Sequence, residues 1–161
     1  MQLLFLFLLL VAPFLLLTLA GRWITALQLA PTTRGRIGLT LFFALAGLGH
    51  FFRTEMMSQM LPPSVPYRIE LIYLTGILEL LGAAGVWIPR LMRLTGLCLI
   101  LMLLAVLPAN IYSAINRVSF GGHESGPVYL LVRVPFQLLL IWWAYWSTEQ
   151  HWFAARNRSV G

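Results

Sequence analysis

The sequence predicts an all-α protein, a polytopic membrane helical bundle with five spans. Five long apolar stretches, separated by short loops that carry arginines, fill almost all of the 161 residues. Hydrophobic residues make up 60% of the chain and charged residues only 10%, whereas soluble domains carry about 25% charged residues. Because lipid offers no hydrogen-bond partners to the backbone, an open sheet is excluded and the stretches must be helices.

The first two predicted helices are separated by a loop with a basic character. Residues 3–20 form an unbroken apolar run of spanning length. Only Met1 and Gln2 precede this run, so it lacks the basic start of a secretory signal, and we expect it to be retained. The second helix begins near Arg34 and ends near Phe52.

The other three predicted helices follow a segment that is too short and polar to span a membrane. Residues 54–66 mix polar side chains with methionines and end in prolines, so we expect this segment to lie at the membrane interface. The third helix covers about residues 67–87, the fourth 94–115 and the fifth 127–147. All five helices are expected to form a single membrane domain, residues 1–161.

The distribution of basic residues predicts the orientation. The net charge of +6 comes from eleven arginines against five glutamates, and the arginines are scattered at helix ends, so nucleic acid is not an expected partner. With the N-terminus outside, seven arginines fall on the inner side and three on the outer side: Arg22, Arg34, Arg36, Arg90, Arg93, Arg156 and Arg158 against Arg53, Arg68 and Arg117. Basic loops prefer the cytoplasm, which predicts an inner-membrane protein with its N-terminus outside and its C-terminus in the cytoplasm.

Five polar side chains within the predicted helices are the candidate ligand-binding residues: His50, Glu79, Asn110, Arg133 and Gln137. Ionisable groups inside a bilayer are costly unless they are paired or hydrated, and they therefore often mark functional sites. Glu79 lies about twelve residues into the third helix, roughly 18 Å along its axis and near the membrane midplane. Arg133 and Gln137 are four residues apart and share a helix face. We expect all five to line one polar cavity that opens to the outside.

Small residues beside these side chains could let the helices approach closely. They are Gly47 and Gly49 near His50, and Gly76, Gly82, Ala83 and Gly85 near Glu79.

Structural explanations for the same residues stay open. Glu79 and Arg133 could form a buried ion pair that serves packing alone, and His50 could hydrogen-bond a backbone carbonyl. A further set of methionine sulfurs and histidine nitrogens could in principle bind cuprous copper: Met56, Met57, Met60, His50 and His123. Such loose spacing favours packing, because methionines in interfacial segments usually pack, and we predict no metal site.

The order and spacing of several short segments resemble those of the DoxX-like membrane proteins. The segments are AGLGHF at 46–51, MLPP at 60–63, YLTG at 73–76 followed by Glu79, PANIY at 108–112, and RVPFQ at 133–137 followed by IWW at 141–143. The resemblance implies a four-helix core at about residues 38–147, with the first helix as an addition. It also implies a redox theme, because the family is named for a subunit of a thiosulfate to quinone oxidoreductase.

The expected function is that of a DoxX-like subunit of a membrane redox system, which binds a quinone or another apolar, carbonyl-bearing small molecule. Arg133, His50 and Asn110 would supply hydrogen-bond donors to ligand oxygens, and Glu79 would balance charge or relay a proton. The expected partners are the lipid bilayer and either a redox protein or a second copy of this chain. The only cysteine, Cys98, lies in an apolar run, so the chain can form no internal disulfide, and whether it is itself an enzyme stays open.

Two alternatives remain at this point. The chain could be a non-enzymatic membrane scaffold or assembly factor, in which the polar residues only fix the helix packing. A small transporter is a third possibility, which five helices without an evident inverted repeat disfavour.

Overall fold

Six α-helices build the chain in a computed structural model, which describes the backbone of residues 2–158 and the side chains of residues 3–148. The helices are α1 (Gln2–Ala20), α2 (Pro31–Phe52), α3 (Thr54–Ser58), α4 (Arg68–Gly85), α5 (Met92–Ile115) and α6 (Leu130–Arg158). Two short 3-10 helices cover Thr25–Leu27 and His123–Tyr129. No strand occurs in residues 2–158, and the predicted all-α class is confirmed.

The five predicted helices correspond to α1, α2, α4, α5 and α6, while α3 lies in the segment assigned to the membrane interface. The largest difference concerns α6, which continues to Arg158 instead of ending near Ser147. Residues 136–158 contain neither glycine nor proline, so nothing in this stretch favours the end of a helix. A second difference is the 3-10 helix His123–Tyr129, which occupies part of the predicted loop.

Four segments are long and apolar enough to cross a membrane: Leu3–Ala20, Pro31–Phe52, Met92–Ile115 and His123–Thr148. Helix α4 has 18 residues but includes Arg68, Glu70 and Glu79, so it is not one of the four. Large apolar side chains cover the outside of the bundle, such as Leu81 at 62% exposure and Leu101 at 64%. Such extensive exposed apolar surface is unusual for a soluble monomer and suits contact with lipid.

Helix α2 is the centre of the bundle, because it packs against α1, α4 and α6. The core where these helices meet includes the fully buried side chains of Leu10, Phe43 and Leu140. A Cβ atom on Gly38 would collide with the backbone carbonyl of Leu10, so α1 and α2 can cross this closely only over a glycine.

One end of the bundle holds the start of α2 and the loop between α4 and α5. The Arg36 guanidinium lies over the Trp87 ring, 5.4 Å from its centroid, and donates to the Met92 sulfur at 3.6 Å. The Trp87 indole donates to the Thr40 hydroxyl at 2.8 Å. These contacts place Arg36 at the same end as the α4–α5 loop. The side chains of Arg156 and Arg158, which the predicted inner set also includes, lie outside the described residues.

Candidate functional site

Helices α2 and α4 approach each other over a pair of glycines. A Cβ atom on Gly76 would lie 2.7 Å from the Cβ of His50 and 3.0 Å from the Gly47 carbonyl oxygen. A Cβ atom on Gly47 would in turn lie 2.9 Å from the Gly76 carbonyl oxygen. Only residues without a side chain allow such a contact, and its consequence is that His50 of α2 meets Glu79 of α4.

Two of the other small residues allow α4 to approach α5 closely, as expected, and one does not approach a neighbouring helix closely. A Cβ on Gly82 would collide with Leu99, and one on Gly85 would lie 2.6 Å from the Thr95 hydroxyl oxygen, so both glycines face α5. Gly49 is not a close-contact position, because the nearest atom to its added Cβ is the Met57 methyl carbon at 3.9 Å. The expectation that Gly49 helps α2 to approach a neighbouring helix is therefore wrong.

Both ring nitrogens of His50 have protein partners. Its Nδ1 lies 3.0 Å from the Ile72 carbonyl oxygen, which only accepts, and 3.1 Å from the Thr75 hydroxyl oxygen, which can donate or accept. Its Nε2 lies 3.4 Å from Glu79 Oε2, and both side chains are largely buried, at 14% and 13% exposure. A favourable contact between Nε2 and the carboxyl group requires a proton on either Nε2 or Glu79. The contact thus joins α2 to α4 through two largely buried polar side chains.

Asn110 and Gln137 connect α5 to α6 through a buried pair of amides. The Asn110 amide nitrogen donates to Gln137 Oε1 at 3.3 Å, and Gln137 Nε2 donates to the Leu103 carbonyl. The two residues are 3% and 1% exposed, so these bonds satisfy groups that water cannot reach. Arg133 joins them, because its Nη2 donates to Asn110 Oδ1 at 3.5 Å.

Arg133 and Glu79 link the two halves of this cluster electrostatically. Their opposite charges attract each other, yet among the described side chains no ion pair within 4.0 Å joins them. The guanidinium makes one hydrogen bond with the described residues, the long one to Asn110. Glu79 Oε2 is buried and has no hydrogen-bond partner there. All five predicted residues thus form one polar cluster, which runs from His50 and Glu79 across to Arg133, Asn110 and Gln137.

Two cavities lie away from the five residues, and the outward-facing cavity around them stays a prediction. One cavity of about 430 Å³ lies at the far end of α2 and includes Arg53, Glu55 and Tyr73 in its lining. A second, of about 230 Å³, lies between α4 and α5 and includes Leu78 and Cys98. None of the five polar residues lines either of these two cavities.

His123 is a buried polar residue that the sequence did not suggest as part of this site. It is 3% exposed, its Nδ1 lies 2.7 Å from the Phe120 carbonyl oxygen, and its ring centroid lies 4.7 Å from that of Tyr129. It also interacts electrostatically with Arg133. Two glycines with positive φ, Gly122 at 101° and Gly126 at 73°, let the loop turn inward. That glycine content is the one sequence signal that could have indicated a folded loop.

The chemistry that the cluster offers is hydrogen bonding and charge. Across the side chains of residues 3–148, no three histidine, cysteine or acidic residues are grouped so that they could hold a metal ion. Most polar atoms of His50, Asn110 and Gln137 are occupied by protein partners. The guanidinium of Arg133 and the carboxyl group of Glu79 therefore retain the capacity to bind a polar group.

Comparison with known proteins identifies a family. Neither the curated proteins nor the solved structures include a match to the chain. One family, described as Domain of unknown function (DUF8561), matches residues 39–148. The matched residues include the whole polar cluster, and α1 lies before them. Because this match covers more than half of the length of the chain, the chain belongs to the DUF8561 family.

Proposed function

We propose that the chain binds a quinone, or a similar apolar molecule with carbonyl oxygens, at the polar cluster and serves as a subunit of a membrane redox system. One observation carries this proposal: inside an apolar bundle, Glu79 Oε2 is buried without a hydrogen-bond partner among the described residues, and the Arg133 guanidinium makes only its long bond to Asn110 there. Buried charges normally pair directly or bind something between them. A carbonyl oxygen that accepts from Arg133 would meet this requirement.

The roles of the other residues follow from their contacts. Asn110 accepts from Arg133 and so orients its guanidinium, while Gln137 holds Asn110 in place. His50 lies beside Glu79 and, when protonated, would balance the charge that develops on a ligand oxygen. The apolar helix surfaces would hold the remainder of a quinone. Electrons would come from a partner protein, in agreement with the resemblance to the DoxX-like family.

The proposal includes α4 as a fifth span. Its 18 residues correspond to about 27 Å of helix, close to the thickness of the hydrocarbon core. It exposes Leu74 and Ile77 and turns Glu79 toward His50, so its central charge faces the bundle and not the lipid. Five spans, together with the seven inner arginines, support an external N-terminus and a cytoplasmic C-terminus in the inner membrane.

Single introduced cysteines test this orientation. In a Cys98→Ala background, we expect an impermeant thiol reagent to label Ser119→Cys in intact cells, because the exposed loop after α5 would face outside. Gln28→Cys, in the exposed loop between α1 and α2, should be labelled only after the cells are opened. The reverse labelling pattern would contradict the proposed orientation.

Ligand binding is tested by a substitution that keeps the charge of Arg133. Arg133→Lys preserves a cation beside Glu79 but removes the planar set of donors, so the affinity for decylubiquinone should fall roughly tenfold or more. Arg53→Lys, at an exposed position, should leave the affinity unchanged. Ligand-induced thermal shift of the purified protein in detergent measures both. If decylubiquinone and menadione stabilise none of these proteins, the binding proposal is wrong.

The scaffold alternative keeps one observation in its favour. Asn110 and Gln137 form hydrogen bonds with each other, and they also bond to Arg133 and to the Leu103 carbonyl. A fully connected buried network can fix the relative position of helices without any ligand. A protein without a quinone-dependent thermal shift that co-purifies with a stoichiometric membrane partner would support this alternative.

A further inference from the structure

His123 lies at the end of the cluster and has one ring nitrogen without a partner. Nδ1 faces the Phe120 carbonyl oxygen at 2.7 Å, and a carbonyl accepts but does not donate, so Nδ1 carries the proton. In the neutral ring Nε2 is then a hydrogen-bond acceptor. This atom is buried, and among the described residues it has no hydrogen-bond partner. An unsatisfied buried acceptor is costly, which suggests that it serves a ligand.

The surroundings of His123 connect it to Arg133. Its ring packs edge-on against Tyr129, at 4.7 Å between centroids, and Tyr129 precedes Arg133 by four residues, about one helical turn. Tyr129 is itself fixed, because its hydroxyl donates to the Gly121 carbonyl at 2.6 Å. Both His123 and Tyr129 interact electrostatically with Arg133. The loop thus places the acceptor His123 Nε2 on a ring that contacts Tyr129, about one helical turn before Arg133.

From this arrangement we infer that the site distinguishes a quinol from a quinone, because His123 Nε2 accepts a hydrogen bond from the hydroxyl group of the quinol. The inference rests on the proposed function. A quinol hydroxyl can accept from Arg133 and donate to His123 Nε2 at the same time. A quinone carbonyl can only accept, so it leaves Nε2 unsatisfied. The same donor and acceptor pair would select any ligand that carries a hydroxyl group over its ketone analogue.

The expected preference is large enough to measure. One hydrogen bond to a buried acceptor raises the affinity roughly tenfold. Decylubiquinol should therefore bind about ten times more tightly than decylubiquinone. Anaerobic thermal-shift titrations of the purified full-length protein with the two probes give the ratio of affinities.

Two substitutions at His123 separate ligand recognition from loop structure. The amide of His123→Asn reaches the position of Nδ1, so it can keep the bond to Phe120 while the acceptor at Nε2 is lost. The longer amide of His123→Gln reaches the position of Nε2 and restores an acceptor there. The ratio of quinol to quinone affinity should fall to about one in His123→Asn and return toward the original value in His123→Gln. Both changes follow from the loss or return of the one hydrogen bond at the Nε2 position.

Each outcome decides a different point. Equal affinities for quinol and quinone in the unaltered protein, or a preserved ratio in His123→Asn, would overturn the role of His123 and leave the binding proposal intact. Failure of both probes to bind would overturn the binding proposal and this inference with it. A loss of intrinsic thermal stability in both variants, with an unchanged ratio, would assign His123 to loop structure alone.

Discussion

Replacing Arg133 by leucine is expected to destabilise the bundle by about 2 kcal/mol, because buried Asn110 Oδ1 loses its donor and buried Glu79 loses a nearby opposite charge. Glu79→Gln should also destabilise, since it leaves the guanidinium of Arg133 without its carboxylate. The double variant should lose less than the two single losses added together. We expect an interaction energy of about 1 kcal/mol or more, as for other residues that share a polar network.

The free energy of unfolding in mixed detergent micelles is measured for the unaltered protein, the two single variants and the double variant. The matched control pairs Arg133→Leu with Glu55→Gln, because Glu55 is an exposed carboxylate of α3 and the two losses should simply add. Strict additivity for Glu79 and Arg133 as well would show that the two residues act independently and that the electrostatic link between α4 and α6 contributes nothing to stability.

Gly76→Ala is expected to have the second-largest effect. Its new methyl group would lie 2.7 Å from the Cβ of His50 and 3.0 Å from the Gly47 carbonyl oxygen, so α2 and α4 must move apart. Overpacking of this kind costs about 1–3 kcal/mol, more than the roughly 1 kcal/mol that alanine gains over glycine in a helix. The separation would also lengthen the contact between His50 and Glu79. Thermal unfolding in detergent measures the loss.

Gly49→Ala is the control for this substitution. It makes the same chemical change on α2, at the residue immediately before His50, where the nearest atom is 3.9 Å from the added Cβ. Stability should therefore be unchanged or increased by up to about 1 kcal/mol. Equal effects of the two alanines would mean that helix propensity, and not the α2–α4 contact, governs both positions.

Hydropathy was sufficient to predict the helices, because lipid-facing and core-facing positions are both apolar in a membrane bundle. The start of α1, the end of α2 at Phe52 and the end of α5 at Ile115 follow directly from the apolar runs. The extension of α6 to Arg158 was not predicted, since the stretch after Ser147 is polar and a helix that leaves the apolar layer has no hydropathy signal. Helix formers without glycine or proline continue it.

The polar cluster was predictable as a set of residues but not as a geometry. Rarity inside apolar helices singled out His50, Glu79 and Arg133, and this argument needs no knowledge of which faces meet. The partners of each residue depend on crossing angles and helix rotation, which one sequence does not encode in a readable pattern. His123 was considered only as a loose copper ligand, because polarity is ordinary in a loop, and only the folded loop reveals that it is buried.

The way α1 is seated has a consequence for the neighbours of this bundle in the membrane. Its Leu10 lies against α2, and its Phe14 packs edge-on against Trp143 and Trp146 of α6, with ring centroids 5.7 and 5.9 Å away. A chain shortened by α1 would present this aromatic surface to lipid or to another protein. Helix α1 therefore covers the surface formed by α2 and α6 and keeps it from contact with lipid or with another protein.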